Sequence, residues 1–350
     1  MKTLLCSLFV SLLTLAASAQ TSAASNPDSA TFDPDGAAHI VRVVPMPPTV
    51  SPEAQQWLKQ IEREGPQSKD LAEIRAGTDA WRKKDSAEAL RLYPVKVEEK
   101  TLAGVHTDII TPLDTPDANQ NRVLINLHGG GFISDSGSLI EGIPIAYLTK
   151  TKVVSVYYRL APENPFPAAV EDVVEVYKEL LKTYQPRGIG IFGTSAGAIL
   201  TGEVAVKLKQ SGLPLPAALG MFSTLADFSR PADSQQLFAL NGFSGDIAPQ
   251  TSDHPHDERY VGKTDPKDPV LSPLFADLHG LPPCLLVTST RDLLLSNTSM
   301  FHLALLRAGV NAQLVVFEAL PHAFWYHFQL PETKEALGIM ANFFDQNLGK

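Results

Sequence analysis

The sequence predicts an α/β protein with a mostly parallel eight-stranded sheet, flanking helices and a helical cap. Three observations carry this prediction. Short, nearly unbroken apolar runs such as 123–127, 153–157 and 284–288 alternate with longer amphipathic stretches. That alternation marks strands buried on both faces and joined by right-handed helical crossovers. One such run passes through Gly193-Thr-Ser195-Ala-Gly197 into a helical stretch, a strand–turn–helix setting that exposes a serine oxygen. Finally, two helical stretches precede the first strand, and one long irregular segment interrupts the later rhythm. Together they supply the material of a cap.

The elements follow in chain order. Lys2, the apolar stretch 4–17 and the small-x-small site Ala17-Ser18-Ala19 have the layout of a secretory signal peptide over 1–19. The stretch falls short of the ~18 apolar residues of a membrane-spanning helix. The expectation is a secreted or periplasmic protein with no stable membrane insertion. Residues 20–44, rich in Ser, Ala, Asp and Pro, read as a flexible leader. Cap helices are expected within 45–94. Ser51 caps the first, Pro52 opens it, and Leu58 and Ile61 form its apolar stripe. The second covers 69–92. A first part of the core spans 95–225. Its strands begin near Val95, Val105, Val123, Val153, Gly188 and Ala217, the first two pairing antiparallel at one edge. Residues 226–271 form the cap insertion, and 272–350 complete the core with strands at 284–288 and 312–317 and a closing helix at 332–348.

The composition narrows the function. Acidic and basic residues leave a formal charge of −9, which disfavours nucleic acid and anionic membranes as partners. Of two cysteines, Cys6 lies in the signal stretch and Cys284 stands alone, so no internal disulfide forms. Stability must come from a packed core. A homodimer is left open.

Two segments carry chemistry. The turn at Ser195 needs small flanking residues, and the helix behind it favours negative charge at the reacting centre. His128-Gly-Gly-Gly131-Phe132 directly follows the strand 123–127. Bare glycine amides there suit stabilisation of a developing oxyanion, with Gly130, Gly131 and Ala196 as the expected donors. A serine needs a base. In this architecture an acid and then a histidine follow later, each just past a strand. Asp292 follows the strand 284–288 and His322 the strand 312–317. His327 and Asp277 are their rivals. On this reading Ser195, Asp292 and His322 are catalytic and the substrate is a small-molecule ester.

His128-Gly-Gly-Gly131, Tyr158-Arg-Leu-Ala-Pro-Glu163, Phe166-Pro-Ala-Ala169 and Gly193-Thr-Ser-Ala-Gly197 together resemble the hormone-sensitive lipase family, the bacterial family IV esterases of the α/β-hydrolase fold. The resemblance covers the chain from about residue 95 onward. It implies carboxylester hydrolysis, a helical cap and no cofactor, and no metal site is expected. It maps the family's triad onto Ser195, Asp292 and His322, and its oxyanion donors onto Gly130, Gly131 and Ala196. Thr194 resembles the smaller branch with threonine before the nucleophile. Asp292-Leu-Leu replaces the usual Asp-Pro-Leu and is similar to a branch that includes monoterpene lactone hydrolases. A lactone hydrolase is therefore the alternative, with a non-catalytic ligand-binding protein, as in the plant gibberellin receptors, behind it. Three further motifs have structural readings. Gly188-x-Gly190-x-x-Gly193 lies inside a strand rather than after one, so nucleotide binding is not expected. Asp253-His254-Pro-His256-Asp257-Glu258 reads as a solvated loop, and Asn297-Thr-Ser299 as a glycosylation sequon.

Overall fold

A computed structural model describes residues 28–61, 68, 70–245 and 258–349. The signal stretch 1–19 lies outside the described residues, as does all of the 253–258 motif except Glu258. The chain forms two compact units divided after Met46. In the first, β1 (Ser29–Phe32) and β2 (Ala38–Val41) pair antiparallel. The leader expected to be flexible over 20–44 thus contains a hairpin. Asp33-Pro-Asp-Gly36 supplies its turn, with Gly36 at φ 93° and the Asp33 amide bonded to the Ala37 carbonyl at 2.8 Å.

The second unit begins with α1 (Pro52–Ile61) and α2 (Leu71–Leu92). The Ser51 hydroxyl oxygen accepts the Ala54 amide at 3.0 Å, capping α1 as its sequence suggests. Asp70 caps α2 through the Glu73 amide at 3.0 Å. Then come β3 (Val95–Leu102), β4 (Val105–Pro112), β5 (Val123–Leu127), α3 (Ser138–Thr149), β6 (Lys152–Val156), α4 (Ala168–Leu181), β7 (Ile189–Thr194), α5 (Ala196–Gln210) and β8 (Ala218–Phe222). The described part of 226–271, expected as a cap insertion, holds a 3₁₀ turn at Asp233–Gln236 and the one-turn helix α6 (Glu258–Val261). β9 (Cys284–Ser289), α7 (Leu295–Arg307), β10 (Ala312–Phe317) and α8 (Pro331–Asn347) close the fold.

The eight strands lie in the order β10-β9-β8-β7-β5-β6-β4-β3. β4 runs antiparallel to both neighbours and every other pair is parallel. Side chains alternate across this sheet. Ile125, Ile191, Met221 and Leu286 join Val173 and Leu200 of α4 and α5 in one core. On the other face Phe192 meets Phe222 and Phe344 of α8 at ring separations of 6.3 and 5.5 Å. Asn126 and Thr194 share that second face by the same alternation. The chain leaves β5 toward β6 on one side and returns to β7 on the other. The carboxyl ends of β5 and β7 therefore flank a topological switch point, where open α/β sheets place their ligands.

Candidate active site

Ser195 stands where β7 becomes α5, with φ 58° and ψ −121°. A non-glycine residue reaches this left-handed φ only when its surroundings impose it. The Ser195 amide is held by the Phe222 carbonyl at 2.9 Å and its own carbonyl accepts the Ile199 amide at 3.0 Å. The flanking glycines are required by close approach. A Cβ on Gly193 would lie 2.2 Å from the Leu127 carbonyl oxygen, and one on Gly197 would lie 1.7 Å from the same atom.

The glycine segment after β5 lies against this serine: a Cβ on Gly129 would stand 3.4 Å from the Ser195 Cβ. Gly130 and Gly131 have φ 108° and 61°. The Gly130 carbonyl accepts the Ile133 and Ser134 amides at 3.1 Å, closing a tight turn. Neither the Gly130 nor the Gly131 amide donates to an acceptor among the described residues. His128 supports the turn from below. Its ring stacks on Tyr158 at 4.1 Å, and the Tyr158 hydroxyl donates to the His128 carbonyl at 2.6 Å. This explains the tyrosine of the 158–163 motif. The glutamate of that motif, Glu163, receives both terminal guanidinium nitrogens of Arg75 from α2 at 2.8 and 2.7 Å.

Asp292 and His322 meet as a pair, with Asp292 Oδ1 2.8 Å from His322 Nδ1. The carboxylate also accepts the Ser223 hydroxyl, the Thr288 hydroxyl at 2.8 Å and the Leu294 amide at 2.9 Å. Burial pushes the Asp292 pKa up, but His322 and these donors outweigh it and hold the carboxyl below its usual range. Asp292 is thus an anion fixing the Nδ1–H tautomer of His322. The rivals sit elsewhere. His327 packs at a tilt against Trp57 of α1, ring centroids 4.1 Å apart, and burial lowers its pKa to about 4. Asp277 is exposed, bonded to Lys209 at 2.8 Å and to His279 at 2.7 Å. Ser195 and His322 are not hydrogen-bonded to each other.

Several contributors had no sequence signal of their own. Ser223, at φ 53° just past β8, was one; a small hydroxyl residue at the end of the strand beside that of Ser195 was the available hint. Glu141 of α3 is buried and accepts the Thr194 hydroxyl and, at 3.0 Å, the Asn126 side-chain amide. The Trp325 indole donates to the Thr194 oxygen at 3.0 Å. Tyr260 of α6 stacks flat on Phe132 at 3.4 Å. Gly190 is a packing glycine, since a Cβ there would meet Leu124 at 2.7 Å and Phe344 at 3.1 Å. The sequon residue Asn297 is buried and bonded to Gln235 at 2.8 Å, so the folded chain offers no glycan acceptor there.

A strained serine at a strand–helix turn, bare glycine amides beside it and an aspartate–histidine pair on the same sheet edge define a hydrolase-type site. Comparison with known proteins agrees. Residues 124–326 match the family described as alpha/beta hydrolase fold. The chain is similar to an acetyl-hydrolase of Streptomyces hygroscopicus, 35% identical over 236 residues covering 65% of this chain and 77% of that one. Among solved structures it is similar to esterase E25, with TM-score 0.77, 31% identity and coverage of 88% and 98% of the two chains. It is also similar to an esterase from the bacterial hormone-sensitive lipase family, with TM-score 0.69, 29% identity and coverage of 85% and 99%. The chain therefore belongs to the α/β-hydrolase fold family, in its bacterial hormone-sensitive lipase branch.

Proposed function

We propose that this carboxylic-ester hydrolase acts on small to medium acyl esters through Ser195, His322 and Asp292. The observation that carries the reading is the backbone of Ser195, held at φ 58° with the Gly129 segment against its side chain. His322 Nε2 takes the Ser195 hydroxyl proton as Oγ attacks the ester carbonyl carbon. The amides of Gly130, Gly131 and Ala196 stabilise the resulting oxyanion. The intermediate collapses to an acyl-enzyme, and the leaving alkoxide receives the proton from His322. Water then attacks the acyl carbonyl, again with His322 as base, releasing the carboxylic acid and restoring Ser195. Asp292 stabilises the imidazolium that forms in each half-reaction.

A fluorophosphonate probe should label the protein at one serine. Ser195→Ala should abolish labelling and lower kcat by at least about 10⁴-fold. Full labelling and turnover in that variant would refute the assignment. A panel of aryl esters of increasing acyl length, with matched lactones and anilides, measures the substrate range. We further read residues 1–19 as a secretory signal. Intact mass of exported protein should then correspond to a chain beginning at Gln20, and export without cleavage would overturn the reading.

A further inference from the structure

We propose that Glu141 is a positioning residue, whose buried carboxyl ties together the strand ends carrying the glycine segment, Ser195 and His322. The inference rests on the reading of Ser195 as nucleophile. Glu141 lies on α3 with 1% of its surface exposed, and neither of its hydrogen-bond partners is a cation. Burying a carboxyl without a counter-ion is costly, and an apolar residue would pack the same helix face. What the carboxyl adds is its connections. Thr194, which donates to one oxygen, immediately precedes Ser195. Asn126, which donates to the other, lies two residues before His128 on β5. The Thr194 hydroxyl also accepts the indole N–H of Trp325, three residues beyond His322. One carboxyl and one hydroxyl thus link all three reacting segments on the sheet face opposite the α4–α5 core.

The protonation state agrees with this role. Burial raises the Glu141 pKa to about 8, against the lowering by its bonds to Thr194 and Asn126. At neutral pH the group is an uncharged acid: one oxygen accepts from Asn126 and the protonated one can give its hydrogen to the Thr194 oxygen, so both contacts persist without a buried charge. The ionisable side chains that sense it are the buried phenols of Tyr158 and Tyr326. Misplacing reacting groups by an ångström can cost about 10²-fold in rate, so a link spanning the three segments acts on turnover more than on binding.

The test uses the full chain as Thr194→Val, Glu141→Ala and Glu141→Gln, with Ser195→Ala as control. Active sites are counted with a fluorophosphonate, and kcat and KM are measured per titrated site on an activated aryl butyrate. Thr194→Val keeps the volume and removes the hydroxyl. It should lower kcat by about tenfold or more, with KM changed by less than about threefold. Glu141→Ala should match it. Glu141→Gln should recover to within about threefold of wild type, because its amide can accept from Asn126 and donate to Thr194. Wild-type kcat per site in both Thr194→Val and Glu141→Ala, even with lowered Tm, would overturn the proposal and leave Glu141 a merely structural residue. If Glu141→Ala does not fold, Thr194→Val decides alone. Turnover retained in Ser195→Ala would instead overturn the nucleophile assignment, a distinct failure.

Discussion

Gly130 shows how a single residue shapes the candidate site. Its φ of 108° is one that side chains avoid, and an added Cβ would fall 2.1 Å from the Ser134 carbonyl oxygen. Gly130→Ala must therefore shift the turn that presents the Gly130 and Gly131 amides. We expect kcat/KM to fall by about 10²-fold or more while circular dichroism still reports a folded protein. Asp292→Asn should preserve packing but lose the anion that fixes the His322 tautomer, lowering kcat by about 10⁴-fold in steady-state assays. Ser195 and the glycine segment were legible in the sequence because steric need selects glycine at fixed offsets. Asp292 and His322 stood out because each follows a strand, His327 lying farther from the strand end and Asp277 preceding its strand, and the structure adds their mutual contact at 2.8 Å. Glu141 and Ser223 were not legible. Their partners lie 53 and 69 residues away, and no local pattern marks such a pairing.

At the scale of elements, two separate segments grip the loop after the glycines. Arg75 of α2 donates to the Ile133 carbonyl at 2.7 Å and the Ala161 carbonyl at 2.9 Å, besides its pair with Glu163. Tyr260 of α6 covers Phe132 and donates at 2.6 Å to the buried carboxyl of Glu203 on α5. Burial drives the Glu203 pKa well upward, and its other carboxyl oxygen has no hydrogen-bond partner among the described residues. Tyr260→Phe should remove that bond and destabilise the fold by about 1–3 kcal/mol, read as a lowered midpoint in chemical denaturation. The core strands and helices were legible from apolar periodicity, to within a few residues at their ends. Residues 226–271 stood out only as an interruption, because they lack a period and their contacts reach across the chain. The hairpin at 29–41 was not legible: its strands are four residues each and exposed on every side, so composition points to a leader although Asp33-Pro-Asp-Gly36 marks a turn.

For the molecule as a whole, buried titrating groups shape stability against pH. Glu141 has a folded pKa of about 8 against an ordinary 4.5. Its contribution is complete below about pH 4.5 and is lost as pH rises through 8, because the folded state there holds a proton the unfolded chain has released. His327 is lowered to about 4 from 6.5. Its contribution is complete above about pH 6.5 and is lost as pH falls through 4. Tm should therefore decline on both sides of an intermediate pH. Glu141→Gln should flatten the alkaline limb and His327→Gln the acid limb in thermal melts across the range.

Cys284 sits on β9, one strand in from the sheet edge, with no exposed surface, and burial raises its thiol pKa. It is the only sulfhydryl outside residues 1–19. Reaction with a water-soluble disulfide reagent such as Ellman's should then be limited by how often β9 parts from its neighbours. That makes this sulfur a native clock for opening of the sheet, readable without any added label.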